Sequence, residues 1–142
     1  MTAANANTAD ICYQLEPDLP VEEFRQVLIS SGLGARRPID DLPRLRQMLR
    51  AASLIVTARL QGKLVGVSRS LTDFSFCTYL SDLAVANEQQ GLGIGRQLVQ
   101  RTHAAAGPQT MLILLAAPGA ETYYPHIGLQ SHHSCWIIPR EQ

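Results

Sequence analysis

A mixed α/β domain built around one sheet is predicted by three features of the 142-residue chain. Apolar and turn-forming residues mark out the order β-α-α-β-β-β-α-β-α-β. Two β-prone runs are joined by only Gln61-Gly62, and a strand, a glycine loop, a helix and a strand follow one another over residues 76 to 116. The hairpin implies antiparallel pairing and the strand-helix-strand unit a parallel crossover, so the sheet should be mixed, mostly antiparallel and flanked by helices.

Ile11 to Leu15 reads as a strand, after which Asp18 and Pro20 offer a helix start and Val21, Phe24, Val27 and Leu28 recur at helical spacing until Gly32 and Gly34. Asp41 and Pro43 open a second helix whose apolar stripe is Leu42, Leu45, Met48 and Leu49. Leu54 to Leu60 and Lys63 to Leu71 form the hairpin, and Phe76 to Val85 the fourth strand. A helix follows the glycine loop and runs to about Ala106, where Gly107-Pro108 stops it. Met111 to Ala116 should be a buried strand, Gly119 to His126 should hold a short helix, and Leu129 to Ile138 a last strand.

Length and charge narrow the function. One domain over residues 1–142 is expected, with residues 1–9, rich in Ala, Asn and Thr, as a flexible end. Twelve Lys plus Arg balance twelve Asp plus Glu, which leaves no global field for nucleic acid or an anionic membrane. The longest apolar run, Met111 to Ala117, is too short to span a bilayer, and the N-terminal ten residues lack the basic and apolar regions of a signal peptide. Cys12, Cys77 and Cys135 are odd in number and widely spaced, which argues against a disulfide framework and fits the cytoplasm. His132, His133 and Cys135 invite a metal reading, but neighbours on a strand point to opposite faces, so no metal is expected.

Gly91, Gly93 and Gly95 carry the chemistry. Glycine is costly at the start of a helix, and it bares backbone N–H groups where the helix already presents unpaired donors and partial positive charge. A phosphate or pyrophosphate is the favoured ligand. A P-loop would need a Lys after the glycines, and none follows; a dinucleotide fold would need GxGxxG and a second half, and only 47 residues lie beyond Gly95. A glycine-rich loop without a ligand is the bland alternative.

Gln90-Gly91-Leu92-Gly93-Ile94-Gly95 resembles the Q/R-x-x-G-x-G/A signature of the GCN5-related N-acetyltransferase (GNAT) superfamily. Asp82-Leu83-Ala84-Val85 looks like the end of that family's fourth strand, and residues 120 to 129 are similar to its A-x-x-F-Y-x-x-x-G-F segment, with Leu129 in place of Phe and Pro125 after the tyrosine. The resemblance covers residues 10 to 138, although residues 18 to 50 agree only in element type. It implies a sheet splayed at strands 4 and 5, and acetyl-CoA as co-substrate. The pyrophosphate would lie on Gln90, Gly91, Leu92, Gly93, Ile94, Gly95 and Arg96, and the pantetheine arm along Leu83, Ala84 and Val85. It also implies transfer of an acetyl group to a primary amine of a small molecule or peptide, with Tyr124 as the acid. A phenol stays protonated at neutral pH and can donate to sulfur, although an aromatic in a short helix more often packs; Tyr123 suits packing better.

The base is open. Tyr79 stands where histone-acetylating members carry glutamate, and with Ser81 it is a candidate for substrate contact. Asp82, the nearest carboxylate, should lie on the face opposite Tyr79, Ser81 and Leu83 unless a bulge intervenes, and pairing or capping is its expected role. Asp73 should serve its own turn. In this family the first two helices often line the acceptor pocket. Arg36 and Arg37 could there bind an acidic group, but such a pair is more often solvated. Neither nucleic acid nor membrane is an expected partner, and a homodimer is compatible with the sequence. The competing reading is a non-catalytic coenzyme-A-binding sensor or assembly module of the same fold.

Overall fold

The computed structural model of the chain describes residues 10–141, so the flexible end expected over residues 1–9 lies outside the described residues. Among the described residues, five strands form one sheet in the order β1 (Ile11–Leu15), β2 (Leu54–Leu60), β3 (Lys63–Thr72), β4 (Cys77–Val85) and β5 (Met111–Ile113). Neighbours are antiparallel except β4 and β5, which are parallel. Helices α1 (Val21–Ser31) and α2 (Leu42–Ala51) cover one face, α3 (Ile94–Ala106) covers the other, and α4 (Tyr123–His126) follows β5.

Local chemistry accounts for most boundaries. Glu22 and Glu23 sit in the first turn of α1, where carboxylates favour the helix dipole, and Gly32 closes it in the left-handed conformation with its N–H on the Ile29 carbonyl. At α2 the Asp41 side chain accepts the Arg44 N–H at 3.1 Å, a regular N-cap, and Pro43 occupies the first turn. Gln61 and Gly62 have φ of 51° and 82°, the two positive values that a tight turn matched to strand twist requires. Asp73 gathers the N–H groups of Ser75, Phe76 and Cys77 around its carboxylate, as expected of a turn residue; these bonds hold its pKa down at about 2.

The two layers pack through different side chains. Phe24, Val27, Leu28, Leu45 and Leu49 from α1 and α2 meet Ile55, Val67 and Ala84 of the sheet, while Ile94 and Leu98 of α3 meet Ile11, Val56, Ala58 and Val65. Gly66 admits α3 so closely that a Cβ there would stand 3.1 Å from both Ile94 and Leu98. A buried bond of 2.5 Å between the Ser68 and Thr102 hydroxyls ties the same helix to β3. Outside the core, Arg59 bridges Glu16 and Glu23 at 2.6 and 2.7 Å and draws the Glu16 carboxyl down to about 2, linking β1, β2 and α1.

The C-terminal third departs from expectation. The strand predicted over Met111 to Ala116 ends at Ile113, and the short helix begins at Tyr123 rather than Gly119. Residues 129 to 141 form no strand; Trp136 and Ile138 are 92% and 97% exposed. A last strand would need an edge to pair with, and β5 offers three residues of ladder before the chain turns away. Strand alternation therefore does not separate His132 from His133, whose rings stack with centroids 5.5 Å apart. Among the described residues, no three of His, Cys, Asp and Glu converge on a common point, and no helix is long and apolar enough to cross a membrane.

Candidate active site

The parallel crossover creates the site by coming apart. β4 and β5 pair only at Cys77 with Met111, Thr78 with Leu112 and Tyr79 with Ile113, although β4 continues to Val85. Beyond Tyr79 the two strands leave a cleft of about 1120 Å³, walled by Tyr79 to Ser81 and Leu83 to Val85 on one side and residues 114 to 120 on the other. Tyr124 of α4 lines it, as do residues 35 to 38 of the α1–α2 connection and Arg44 and Met48 of α2.

A bulge in β4 sorts the side chains of this wall. Leu80 pairs with Ser70 and Asp82 with the adjacent Arg69, so Ser81 is one residue too many for its partner strand. Tyr79 pairs with Leu71, two places from Arg69; hence Tyr79 and Asp82 share a face, contrary to simple alternation, while Leu83 turns to the α3 side. The bulge is the exception to alternation that the expectation for Asp82 allowed, and it puts Asp82 on the face of Tyr79.

Asp82 nevertheless has no freedom to act as a base. Its side chain is fully buried, one oxygen accepting from the Arg37 Nε at 2.5 Å and the other from the Arg69 Nε. Arg37 also donates to the carbonyls of Ser81 and Arg36, at 2.8 and 2.9 Å; Arg69 donates to the Ser81 hydroxyl at 3.0 Å and the Met48 carbonyl at 3.3 Å. The pairing role expected of Asp82 is what the geometry presents. Arg37 departs from expectation, because it is clamped over β4 rather than solvated; its neighbour Arg36 is exposed. Arg69 was not among the residues singled out from the sequence. Its signal was a cation within the β-prone run Lys63 to Leu71, which a buried strand tolerates only with a partner.

The two adjacent tyrosines occupy different surroundings. Tyr124 faces the cleft, where burial raises its pKa above the usual 10; the neighbouring Tyr123 adds to that rise and the Arg37 cation opposes it. Tyr123 meets Tyr124 edge to face at 5.2 Å and lays its hydroxyl against Gly95, where a Cβ would collide with it. Pro125 does not break α4, because it falls in the first turn, where an N–H has no intrahelical acceptor.

Gly91 and Gly93 adopt φ of 84° and 82°, and nothing lies within 4 Å of where their Cβ atoms would be. They provide an open, left-handed entry to α3, whose first internal bond runs from the Gln97 N–H to the Gly93 carbonyl. The N–H groups of Ile94, Gly95 and Arg96 thus have no acceptor within the helix. Gly95 serves the approach of Tyr123, and the Ile94 side chain points into the core. Gln90 braces the loop, its amide donating to the Val85 carbonyl and to Asn87, both at 3.0 Å. Of the candidate residues, Tyr79, Ser81, Leu83, Ala84, Val85, Gln90 and Tyr124 line the cleft; Gly91, Leu92, Gly93, Ile94, Gly95 and Arg96 do not.

A family model described as an acetyltransferase (GNAT) domain matches residues 37–134. No curated protein matches the chain by sequence. Among solved structures, a provisionally assigned acetyltransferase of Deinococcus radiodurans R1 is similar over 97% of this chain and 93% of its own, with 23% identity and a TM-score of 0.75. The aminoglycoside acetyltransferase meta-AAC0020 of an uncultured soil metagenome, in complex with sisomicin, shares 17% identity over 94% of this chain and 97% of its own, with a TM-score of 0.70. The aminoglycoside N-acetyltransferase AAC(6')-Iy, in complex with CoA, shares 14% over 93% and 95%, with a TM-score of 0.69.

Proposed function

This chain belongs to the GNAT family of acetyltransferases, and from that premise we propose that it is an acetyl-CoA-dependent N-acetyltransferase acting on a primary amine of a small molecule or peptide. The observation that carries the proposal is the parting of β4 and β5 after Tyr79 and Ile113, with Tyr124 facing the cleft so formed.

The residues present fit coenzyme A. Gly91 and Gly93 leave open space over bare backbone, and the first turn of α3 adds N–H donors with partial positive charge for the pyrophosphate. The end of β4, freed from β5, offers its backbone from Leu83 to Val85 to an amide-containing arm. Acetyl-CoA, when bound, supplies the activated acetyl group as a thioester. Tyr124 is the acid, its proton retained on Oη through neutral and mildly alkaline pH because burial disfavours the phenolate. Among the described residues no Asp or Glu lines the cleft, and both oxygens of Asp82 are held by arginines, so the acceptor amine arrives neutral or yields its proton to water. Tyr79 and Ser81 border the acceptor side.

Titration with acetyl-CoA, followed by thiol release across a panel of amines, tests the proposal. Saturable coenzyme binding with amine-dependent thiol release is expected. Binding without turnover of any amine would favour the sensor reading, and no binding would refute both.

A further inference from the structure

The charge of the cleft wall does not close on itself. Arg37 and Arg69 share the single carboxylate of Asp82, so a cluster in which Asp82 is fully buried and the Arg69 side chain is 8% exposed carries one positive charge too many. Such a charge is costly to hold at a half-dry wall unless something neutralises it. Each guanidinium has five N–H donors, and each uses three for the bonds within the cluster, leaving donors for a further acceptor. Arg36, Arg44 and Arg140 also line the cleft, and none of these side chains makes an ion pair among the described residues. Among the described residues, no acidic side chain lines the cleft to receive a cationic group.

From this wall we infer that the acceptor is an amine that also carries a carboxylate, held by Arg37 with Arg44 while its amino group faces the β4 opening. The inference rests on the acetyltransferase reading and names the substrate class of that site. The same cations do not serve the coenzyme's pyrophosphate. Arg37 and Arg69 grip β4 at Ser81 and Asp82, on the face covered by α1 and α2, whereas the glycine loop opens α3 on the opposite face, beyond Val85. At about 3.3 Å per residue, Ser81 to Val85 alone spans roughly 13 Å. A planar, bidentate guanidinium also suits a carboxylate, and a wall of this sign disfavours polycationic amines.

The test measures kcat/KM for isosteric triplets of primary amines that differ only in a distal carboxylate, carboxamide or ammonium group, beginning with 5-aminopentanoate, 5-aminopentanamide and 1,5-diaminopentane and extending to peptides with Glu, Gln or Lys after a common N-terminal residue. A charge-assisted pair predicts that the carboxylate member leads its triplet by about ten- to a hundred-fold. Arg37→Met leaves Asp82 and Arg69 as a balanced pair, and should shrink that lead to within about threefold while coenzyme-A affinity by calorimetry stays within twofold. Arg44→Gln, on an exposed helix position, should cut the lead by a smaller factor and keeps the test open if Arg37→Met fails to fold. Amines acetylated with the carboxamide or diamine preferred would overturn this inference alone. A tenfold loss of coenzyme affinity in Arg37→Met would overturn the assignment of that arginine to the acceptor. Coenzyme binding with no amine acetylated would instead remove the acetyltransferase reading, and this inference with it.

Discussion

Asp82→Asn is the perturbation that most directly probes how the wall of the cleft is held. The substitution keeps the volume of the side chain and removes its charge, leaving Arg37 and Arg69 beside a neutral amide. Arg37, with 22% of its side chain exposed, can recover some hydration by turning toward the cleft; Arg69, at 8%, cannot. Breaking a buried pair by removal of one partner costs about 3–5 kcal/mol, and the partial exposure of Arg37 places this case near the lower end, at about 3 kcal/mol. An unfolding entropy of about 2.1 cal/mol/K per residue amounts, for a chain of this length, to about 0.3 kcal/mol/K, so the melting temperature should fall by about 10 °C. Urea unfolding at pH 7, analysed with a common m-value, reads the loss directly. The double variant Arg37→Met/Asp82→Asn should be about 1 kcal/mol more stable than Asp82→Asn, because one unpaired cation remains in place of two. A loss below about 1 kcal/mol, or a double variant no better than the single, would show that Asp82 is not the anchor of both arginines.

Tyr124→Phe should lower single-turnover acetyl transfer by about tenfold to a hundredfold, with fold and coenzyme affinity retained, while Tyr123→Phe leaves the rate within about twofold; equal effects of the two would cancel the division of roles. Gly93→Asp should weaken coenzyme-A binding at least tenfold by calorimetry in a folded protein, since it combines a strained positive φ with a carboxylate facing phosphate. Gly95→Ala gains helix propensity of up to about 1 kcal/mol but makes the Tyr123 hydroxyl move aside, so by urea unfolding it should be more favourable in a Tyr123→Phe background than in the parent chain; equal effects in the two backgrounds would contradict that contact. Glu16→Gln should destabilise by about 1–2 kcal/mol at pH 7. Because Arg59 depresses the Glu16 carboxyl from 4.5 to about 2, this advantage is complete above pH 4.5 and fades as the pH falls toward 2; a pH-independent difference would exclude the ion pair as its source.

Features determined by neighbours along the chain were legible in the sequence. Helices α1 to α3, the Gln61-Gly62 hairpin, the Asp41 cap and the Asp73 turn follow from periodicity and from φ preferences, which act over a few residues. The glycine loop was legible for the same reason, since a helix N-terminus is a local structure, whereas the tyrosine segment stood out by its resemblance to the GNAT motif and its helix is shorter than expected. Tertiary structure decided what depends on partners distant in sequence. The bulge at Ser81 arises from the register between β3 and β4, and it moves Asp82 onto the face of Tyr79. Arg37, Arg69 and Asp82 converge from a loop and two strands, so their joint charge has no signature in any one segment. Gly95 looked like its two companions, yet its requirement is the distant Tyr123 hydroxyl. The expected last strand carries β-prone residues, but propensity supplies no ladder: Trp136 and Ile138 stay exposed because β5 pairs for three residues before leaving β4, and that same departure opens the cleft.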